Sequence, residues 1–540
     1  MNFIKRLTAA ALIFACVMSA TSCGDDDGSG GVFKYNIPAN PQSLDPQTAT
    51  DSTSDLLISN IYRGLLTANS DGSISSGVAE DYVVSEDGLV YTFKLRQDVY
   101  WVDSGDFEAQ CTAHDFVFGF QRLFDPETRA ARASDYYCIK NAEHVHRGYI
   151  PVVSEIGVKA IGDFELEITL DHPNPQFPLL LTKTPAMPCN AEYFEYAQGK
   201  YGLAADATPS NGAFYIRTWE YDPYTITDNN FIVLKRNAKT NETTQVFPSG
   251  LNFFIVDKAG FVDDFVTGTT DCIAVTDEEA VLINGEYTVT EYSSISVGMV
   301  FNSDYSVLAN TDFRRALASL VNREELAVPL AAYNASQGVV PDEVTLLEKP
   351  YREYAGESML TEYNVDKAME YYNSAEESLD KDLFVGARII MPDDTMKDAV
   401  SYVMQEWQKQ LGFYCVVEVL SPEDYDKRLR SGDYEIAVVE LTGGYNSPEA
   451  YLGAFTIDSS DNYAKYRNKQ FERYIQLAGR AVELSESADY YVQAERLLLD
   501  EAAFVPLCSK NEYFFLAEDV WDISYNPFTK TVDFSKAKTD

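Results

Sequence analysis

Two apolar periodicities alternate along this chain, and they constrain its fold more than any other feature. In residues 90–96 the apolar side chains recur at every second position, which is typical of a half-buried strand. After Thr112, Phe116 and Phe120 recur at helical spacing, and Thr112 with Asp115 forms a variant of the capping box that begins helices. Because segments of both kinds are mixed throughout the chain, the sequence predicts an α/β fold.

Further elements of both kinds are predicted downstream. A strand is expected at residues 165–170, a hairpin at 225–237 and a helix beginning at Asp312. Additional helices are predicted at residues 364–379, 398–410 and 470–503. No apolar run after the first residues approaches the roughly twenty residues that a membrane helix needs, so we expect a globular mature chain.

The N-terminal residues are expected to direct export. Lys5 and Arg6 precede the apolar residues 7–18, a length typical of a secretory signal and too short to span a bilayer. The following Ala20-Thr21-Ser22-Cys23 resembles the lipobox at which bacterial lipoproteins are cleaved and acylated. This resemblance implies a signal peptide at residues 1–22 and a lipid on Cys23, which would hold the protein on the cell surface or the periplasmic side of a bacterial membrane. Ordinary signal cleavage with an unmodified Cys23 is the alternative.

The charge of the chain limits its partners. Residues 23–31 consist almost entirely of Gly, Asp and Ser, a composition that predicts a flexible tether. The formal net charge of -42 excludes nucleic acid as a partner, because phosphate binding requires basic patches. A hydrophobic content of 46% is nevertheless sufficient for sizeable cores. We therefore expect most acidic residues to lie on a solvated surface.

Sequence motifs of common catalytic and metal sites are absent. The chain has no G-x-x-x-x-G-K-[ST], G-x-S-x-G, H-E-x-x-H or C-x-x-C motif and no EF-hand loop, so neither an enzyme nor a metal or other cofactor is expected. The histidines are His114, His144, His146 and His172. The cysteines after Cys23 are Cys111, Cys138, Cys189, Cys272, Cys415 and Cys508. A Cys111–Cys138 bridge and buried free thiols are both open alternatives.

Short motifs follow one another in an order that identifies a family. They are P-x-S-L-D-P at 41–46, N-x-Y-R-G-L at 60–65, D-G at 71–72, V-A-E at 78–80, S-E-D-G at 85–88, Y-T-F-K-L-R at 91–96, T-A-H-D-F-V at 112–117, S-N-G-A-F at 210–214, F-N at 301–302, R-R-A-L at 314–317 and N-R at 322–323. This series resembles the peptide/nickel-binding family of extracellular solute-binding proteins that serve ABC importers. Arg63 departs from the family pattern, which has an acid at that position.

The resemblance implies a two-lobed periplasmic-binding-protein-like fold of type II, with an extra subdomain and a hinge between the lobes. Lobe I would comprise residues 32–67, 190–293 and 512–540, the subdomain residues 68–189, and lobe II residues 294–511. The implied protein is a monomer that captures a peptide or peptide-like solute in the cleft and delivers it to an ABC permease in the membrane. A sensor of the same fold and a surface hydrolase are the alternatives.

The resemblance also implies a set of ligand-binding residues. Oligopeptide-binding members carry an acid just before Tyr-Asn-x-Pro, where it pairs with the amino terminus of the peptide, but Gly444 stands at that position in this chain. A buried ammonium needs a charge partner, so either Glu440 or Glu449 replaces the missing acid or the solute is not a standard free peptide. The residues expected to contact the solute are Thr50, Asp51, Ser52, Thr53, Phe118, Gly443, Gly444, Tyr445 and Asn446.

Overall fold

The computed structural model describes residues 30–224, 230–240, 245–331, 333–347, 349–356, 358–379, 384, 386–392 and 395–539. The predicted signal peptide, the Cys23 lipid site and nearly all of the predicted tether lie outside these ranges. Residues 225–229 of the hairpin predicted at 225–237 also lie outside them, and of that hairpin only the second strand, Phe231–Arg236, is described.

The strands are numbered in chain order. They are β1 (Val32–Ile37), β2 (Leu66–Ala68), β3 (Ile74–Ser76), β4 (Ala79–Val84), β5 (Val90–Leu95), β6 (Tyr100–Val102), β7 (Glu108–Gln110), β8 (Val158–Gly162), β9 (Glu165–Thr169), β10 (Phe214–Glu220), β11 (Phe231–Arg236), β12 (Gly250–Ile255), β13 (Cys272–Thr276), β14 (Thr288–Phe301), β15 (Asn334–Ala335), β16 (Thr345–Leu346), β17 (Lys349–Pro350), β18 (Gly386–Met391), β19 (Tyr414–Val419), β20 (Ile436–Thr442), β21 (Phe504–Leu516), β22 (Val520–Trp521), β23 (Ser524–Asn526), β24 (Thr531–Asp533) and β25 (Lys538–Thr539).

The helices are numbered in the same way. They are α1 (Ser52–Ile61), α2 (Ala113–Phe124), α3 (Ala142–His146), α4 (Phe177–Leu180), α5 (Ala191–Tyr196), α6 (Phe261–Val266), α7 (Asp277–Ala280), α8 (Ser306–Ala309), α9 (Thr311–Ala318), α10 (Arg323–Leu326), α11 (Tyr351–Ala355), α12 (Val365–Ser378), α13 (Lys397–Leu411), α14 (Pro422–Ser431), α15 (Pro448–Leu452), α16 (Lys469–Ala478) and α17 (Leu484–Asp500).

Within the described residues, the two four-stranded sheets of lobe I lie over one large core. Strand β1 pairs in parallel with β12, and antiparallel β11 and β10 complete the order β1-β12-β11-β10. An antiparallel sheet of order β4-β5-β9-β8 lies within residues 68–189, the predicted subdomain. Phe33, Phe93 and Phe253 belong to the same apolar cluster, so the subdomain and the rest of lobe I pack as one body.

The main sheet of lobe II has the order β13-β21-β14-β20-β18-β19, and β15 adds to β21. Its edge strand β13 comes from residues 190–293, which the predicted boundaries assign to lobe I. Its long strands β14 and β21 run antiparallel, and their register shifts between Tyr292 and Ile295. Phe514 of β21 packs in the lobe I core, whereas Val505 of the same strand packs in a lobe II core. The two long strands therefore connect the lobes.

The strongest local patterns are confirmed by the structure. Helix α2 begins with the capping box of Thr112 and Asp115, and β5 buries Tyr91, Phe93 and Leu95 on one face. The segment predicted as helical at residues 470–503 forms two helices, α16 and α17, because α16 ends at Gly479. The described helices are all too short or too polar to cross a membrane.

The cysteines and histidines form no described ligand set. Cys111 and Cys138 are buried free thiols, so the alternative of a bridge between them is wrong for this structure. Burial raises the pKa of the Cys138 thiol to about 12. Within the described ranges, no three His, Cys, Asp or Glu side chains are grouped closely enough to hold a metal ion.

Candidate functional site

The predicted lobe I loop forms the start of helix α1. Asp51 is its N-cap and accepts a hydrogen bond from the Ser54 backbone N–H at 2.9 Å and another from the Ser54 hydroxyl at 2.6 Å. Thr53 is buried, whereas Thr50 and Ser52 are exposed. The Asp51 carboxylate thus stabilises the helix terminus, and the exposed members of this group are Thr50 and Ser52.

Phe118 lies in a separate aromatic cluster. Its ring meets that of Phe194 edge to face, with 5.7 Å between the ring centroids. Phe194 in turn packs against Tyr201 and carries the Arg122 guanidinium 4.0 Å above its ring. The structure therefore does not bring Phe118 together with the lobe II loop that contains Gly443, Gly444, Tyr445 and Asn446.

The glycine pair lies in the loop between β20 and α15, and its two members differ. A Cβ atom on Gly443 would approach the Tyr451 ring to 2.7 Å, so only glycine fits there. A Cβ atom on Gly444 would meet nothing within 4 Å, and Gly444 is exposed. Close packing against Tyr451 thus explains why residue 443 is glycine. Gly444 faces open space.

Tyr445, which follows this glycine pair, lies against the subdomain. The Lys183 ammonium is 3.8 Å from the centroid of the Tyr445 ring, within the range of a cation–π contact. Lys183 also approaches Asp135 of the subdomain to 3.7 Å, and its side chain is only 17% exposed. A positive charge from lobe I is therefore held directly over the loop of lobe II.

Glu449 completes this charged group from the lobe II side. Its carboxylate accepts hydrogen bonds from the Tyr445 and Tyr491 hydroxyls. Burial raises the pKa of Glu449, and the nearby Lys183 charge opposes that rise. Burial likewise lowers the pKa of Lys183, against the opposing charges of Asp135 and Glu449. We call Asp135, Lys183, Tyr445, Glu449 and Tyr491 the interlobe cluster.

A buried chain of hydrogen bonds adjoins the interlobe cluster. The Ser447 hydroxyl donates to Oε1 of Gln176, and Nε2 of Gln176 donates to the Tyr491 hydroxyl at 2.8 Å. Gln176 belongs to the subdomain, and it is 2% exposed. Since each buried polar group here has a partner, these bonds stabilise the contact between the lobes.

The lobes also touch at the turn between β2 and β3. Asn446 accepts a hydrogen bond from the Thr345 backbone N–H at 2.8 Å. On the facing turn, a Cβ atom on Gly72 would lie 2.2 Å from Nδ2 of Asn446 and 2.3 Å from Oγ1 of Thr345. Gly72 has φ +83°, a backbone conformation that favours glycine. Glycine is therefore required for this approach.

Helix α1 forms an ion pair with the subdomain near the interlobe cluster. Asp55 of α1 accepts two hydrogen bonds from the Arg132 guanidinium, each at 2.9 Å. The Arg132 charge also contributes to lowering the pKa of Lys183, although burial is the largest cause. The Asp55–Arg132 ion pair thus joins the first turn of α1 to the subdomain.

A cavity of about 410 Å³ opens beside the Asn446 contact. Its walls come from lobe I, the subdomain and lobe II, and its lining residues are Leu66, Ile74, Ser75, Ser76, Ala79, Asp81, Tyr82, Pro178, Leu346, Leu347, Lys349 and Leu484. None of the solute-contacting residues predicted from the sequence lines this cavity. Gly444 does not line this cavity either.

Both acids that were considered as substitutes for the missing carboxylate interact with other residues of the chain. Glu440 forms an ion pair with Lys510 at 2.6 Å. Glu449 faces Lys183 and accepts the two tyrosine hydroxyls. Sequence reasoning missed Lys183 and Gln176, because the contacts that give them importance come from distant parts of the chain: Ser447 and Gln176 are 271 positions apart.

The sequence is similar to known proteins over nearly its whole length. Residues 73–463 match the middle region of the bacterial extracellular solute-binding proteins, family 5. Oligopeptide-binding protein OppA of Bacillus subtilis is 25% identical over 94% of this chain and 93% of its own length. The probable deoxycholate-binding periplasmic protein YgiS of Escherichia coli is also 25% identical, over 93% of this chain and 92% of its own length.

A solved structure extends the similarity to three dimensions. The substrate-binding domain of an oligopeptide ABC transporter from Bacillus anthracis superposes with a TM-score of 0.69 and 26% identity, covering 95% of this chain and 99% of the other. The fold is therefore the two-lobed, type II periplasmic-binding-protein-like fold. Together with the family match over most of the sequence, this places the chain among the bacterial extracellular solute-binding proteins, family 5.

Proposed function

We propose that this protein captures peptides or peptide-like solutes between its lobes and delivers them to an ABC permease in the membrane. The observation that carries the proposal is the interlobe cluster, in which Lys183 of the subdomain lies 3.8 Å from the Tyr445 ring of lobe II. Further support comes from the printed functions of the relatives, which include oligopeptide binding and membership of an ABC transporter. The absence of a nucleophile motif in the sequence argues against a hydrolase.

The proposed mechanism is closure of one lobe on the other. Strands β14 and β21 act as the hinge, near the predicted boundaries at residues 293–294 and 511–512. A solute at the open space beside Gly444 would touch both lobes only when they meet, so its binding energy would favour the closed form. A permease could then distinguish loaded from empty protein by the closed surface.

The mature protein is proposed to act as a lipid-anchored monomer outside the cytoplasmic membrane. The anchor would be Cys23, and residues 24–31 would form the tether. Such a tether raises the effective concentration of the binding protein beside its permease and leaves the lobes free to move. Metabolic labelling with a palmitate analogue tests the anchor: labelling should disappear in Cys23→Ala.

Native mass spectrometry of the purified protein tests the proposed ligand class. We expect a mass increment from a co-purified solute that dissociates on collisional activation, and tandem fragmentation of the released solute should give peptide-type ions. A solute without amide bonds would contradict the peptide class. A purified protein that carries no solute and binds no component of a peptide digest would contradict the function as a whole.

A further inference from the structure

The formal charges of the interlobe cluster do not balance. Lys183 supplies its one cation, and two carboxylates act on that cation: Asp135 at 3.7 Å, and Glu449 across the contact between the lobes. Arg132 also acts on Lys183, but its guanidinium is held by Asp55 through two hydrogen bonds of 2.9 Å. With both carboxylates ionised, the cluster therefore carries a negative charge in excess.

The two carboxylates of the cluster lie in different surroundings. The Asp135 side chain is 41% exposed, so water solvates its charge. Glu449 lies within the contact, where it accepts the hydroxyls of Tyr445 and Tyr491, and its charge reaches the buried Cys138 thiol of the subdomain. Removal from water makes the ionisation of a carboxyl costly when its charge is not fully paired. Glu449 is therefore the group at which an added proton restores the balance of charge.

The pKa of Glu449 follows from this arrangement. Burial raises it most, the Lys183 charge and the two tyrosine hydroxyls lower it, and the Asp135 charge raises it further. Lys183 and Asp135 belong to the subdomain, whereas Glu449 belongs to lobe II. Opening of the lobes takes both subdomain charges away and admits water to the carboxyl, so its pKa returns towards the ordinary value for glutamate.

We propose that closure of the lobes on a solute is coupled to the uptake of a proton from solvent by Glu449, so that the protein holds its solute more tightly in acidic than in neutral medium. This inference rests on the proposed function, because it requires the lobes to close on a solute. A carboxyl that binds its proton more tightly in the closed form than in the open form favours closure as pH falls. Solute affinity should be highest below the ordinary pKa of glutamate, decrease as pH rises and become constant above the pKa of the closed form.

A peptide pool without titrating side chains provides the test. Random tetrapeptides of glycine, alanine, leucine and phenylalanine keep the charges of their termini between about pH 5 and 7. The purified protein is incubated with this pool at both pH values, and retained peptides are quantified by mass spectrometry. We expect binding to be at least about threefold tighter at the lower pH.

Each other outcome of this experiment has a distinct meaning. Burial lowers the pKa of Lys183, so titration of Lys183 would weaken binding on acidification, which is the opposite trend. Equal binding at both pH values, or weaker binding at the lower one, overturns the inference and leaves the proposed function intact. Absence of binding at both pH values overturns the proposed function and this inference with it.

Three variants assign the proton to the right residue. Glu449→Gln retains the size of the side chain without its titration, so its affinity should be the same at both pH values. Asp135→Asn leaves Lys183 to Glu449 alone, so the gain on acidification should be smaller than in the wild type. Glu195→Gln, at an exposed position of α5, is the matched control and should retain the full gain. A wild-type gain in Glu449→Gln, or an undiminished gain in Asp135→Asn, contradicts the assignment.

Discussion

Two lysine–glutamate pairs of this protein have similar chemistry and different positions. Lys510 and Glu440 lie on β21 and β20, within the lobe II sheet, with 2.6 Å between their charged atoms. Lys183 forms its ion pair with Asp135 of the subdomain at 3.7 Å, and its charge also acts on Glu449 across the contact between the subdomain and lobe II. Opening of the lobes should leave the Lys510–Glu440 pair intact and move Lys183 away from Glu449. Position, rather than residue type, therefore decides whether a charged interaction stabilises the fold or the closed form.

The same distinction applies to uncharged contacts. The hydrogen bond from Gln176 to Tyr491 and the close approach of Gly72 to Asn446 both cross between the lobes. A change at such a contact should alter solute affinity, because binding is coupled to closure. A change within a lobe should alter the free energy of unfolding and leave the affinity nearly constant. Substitutions at both kinds of contact test this distinction.

The largest effect is expected from Gly72→Ala. The new Cβ atom would lie 2.2 Å from Nδ2 of Asn446 and would keep the lobes apart. We expect solute affinity, measured by calorimetry, to fall about a hundredfold, which corresponds to about 2.7 kcal/mol. Gly199→Ala is the control, because its φ of +81° imposes a similar backbone strain while a Cβ atom there meets nothing within 4 Å. Equal losses of affinity in the two variants would refute the role of the contact.

A smaller loss is expected for Gln176→Leu. Leucine has no hydrogen-bonding group, so the buried hydroxyls of Ser447 and Tyr491 lose their shared partner in the closed form. Leaving such groups unsatisfied costs about 1–3 kcal/mol, and we expect solute affinity to fall about tenfold. Gln97→Leu, at an exposed position, should bind as the wild type does. Titration of both variants with the same solute checks the prediction.

Lys510→Met tests the other half of the comparison. This change removes the Lys510 ion pairs with Glu440 at 2.6 Å and Glu278 at 3.9 Å, and the two glutamate side chains are 39% and 46% exposed and therefore partly solvated. The free energy of unfolding should fall by about 1 kcal/mol at most, as is usual for such pairs. Solute affinity should be unchanged. A large loss of affinity with little loss of stability would contradict the distinction between the two pairs.

The smallest effect concerns pH and Glu449. Burial raises the pKa of this carboxyl in the folded protein, so the folded state binds the proton more tightly than the unfolded state does. As pH rises from about 4 to 7, ionisation of Glu449 should therefore lower wild-type stability relative to Glu449→Gln. Urea unfolding at both pH values measures this difference. A difference in unfolding free energy, wild type minus Glu449→Gln, that stays constant or increases as pH rises would contradict the buried position of the carboxylate.

The sequence predicts those features that depend on neighbours along the chain. The capping box of Thr112 and Asp115 and the alternation in β5 could be read directly, because capping and strand periodicity are local. The Asp51 carboxylate caps α1, a local contact that the sequence analysis did not assign to it, and its contact with a solute stays a prediction. The partners of Tyr445 could not be predicted, because Lys183 reaches it only when the subdomain meets lobe II. Nothing local to Lys183 distinguishes it from a solvated lysine.

Small-angle X-ray scattering tests the central claim, which is that a solute binds between the lobes and stabilises their contact. The radius of gyration of the wild-type protein should decrease when saturating solute is added, whereas that of Gly72→Ala should remain at the larger value under the same conditions. An unchanged wild-type scattering profile at saturation, or equal compaction of the Gly72→Ala variant, would contradict the account.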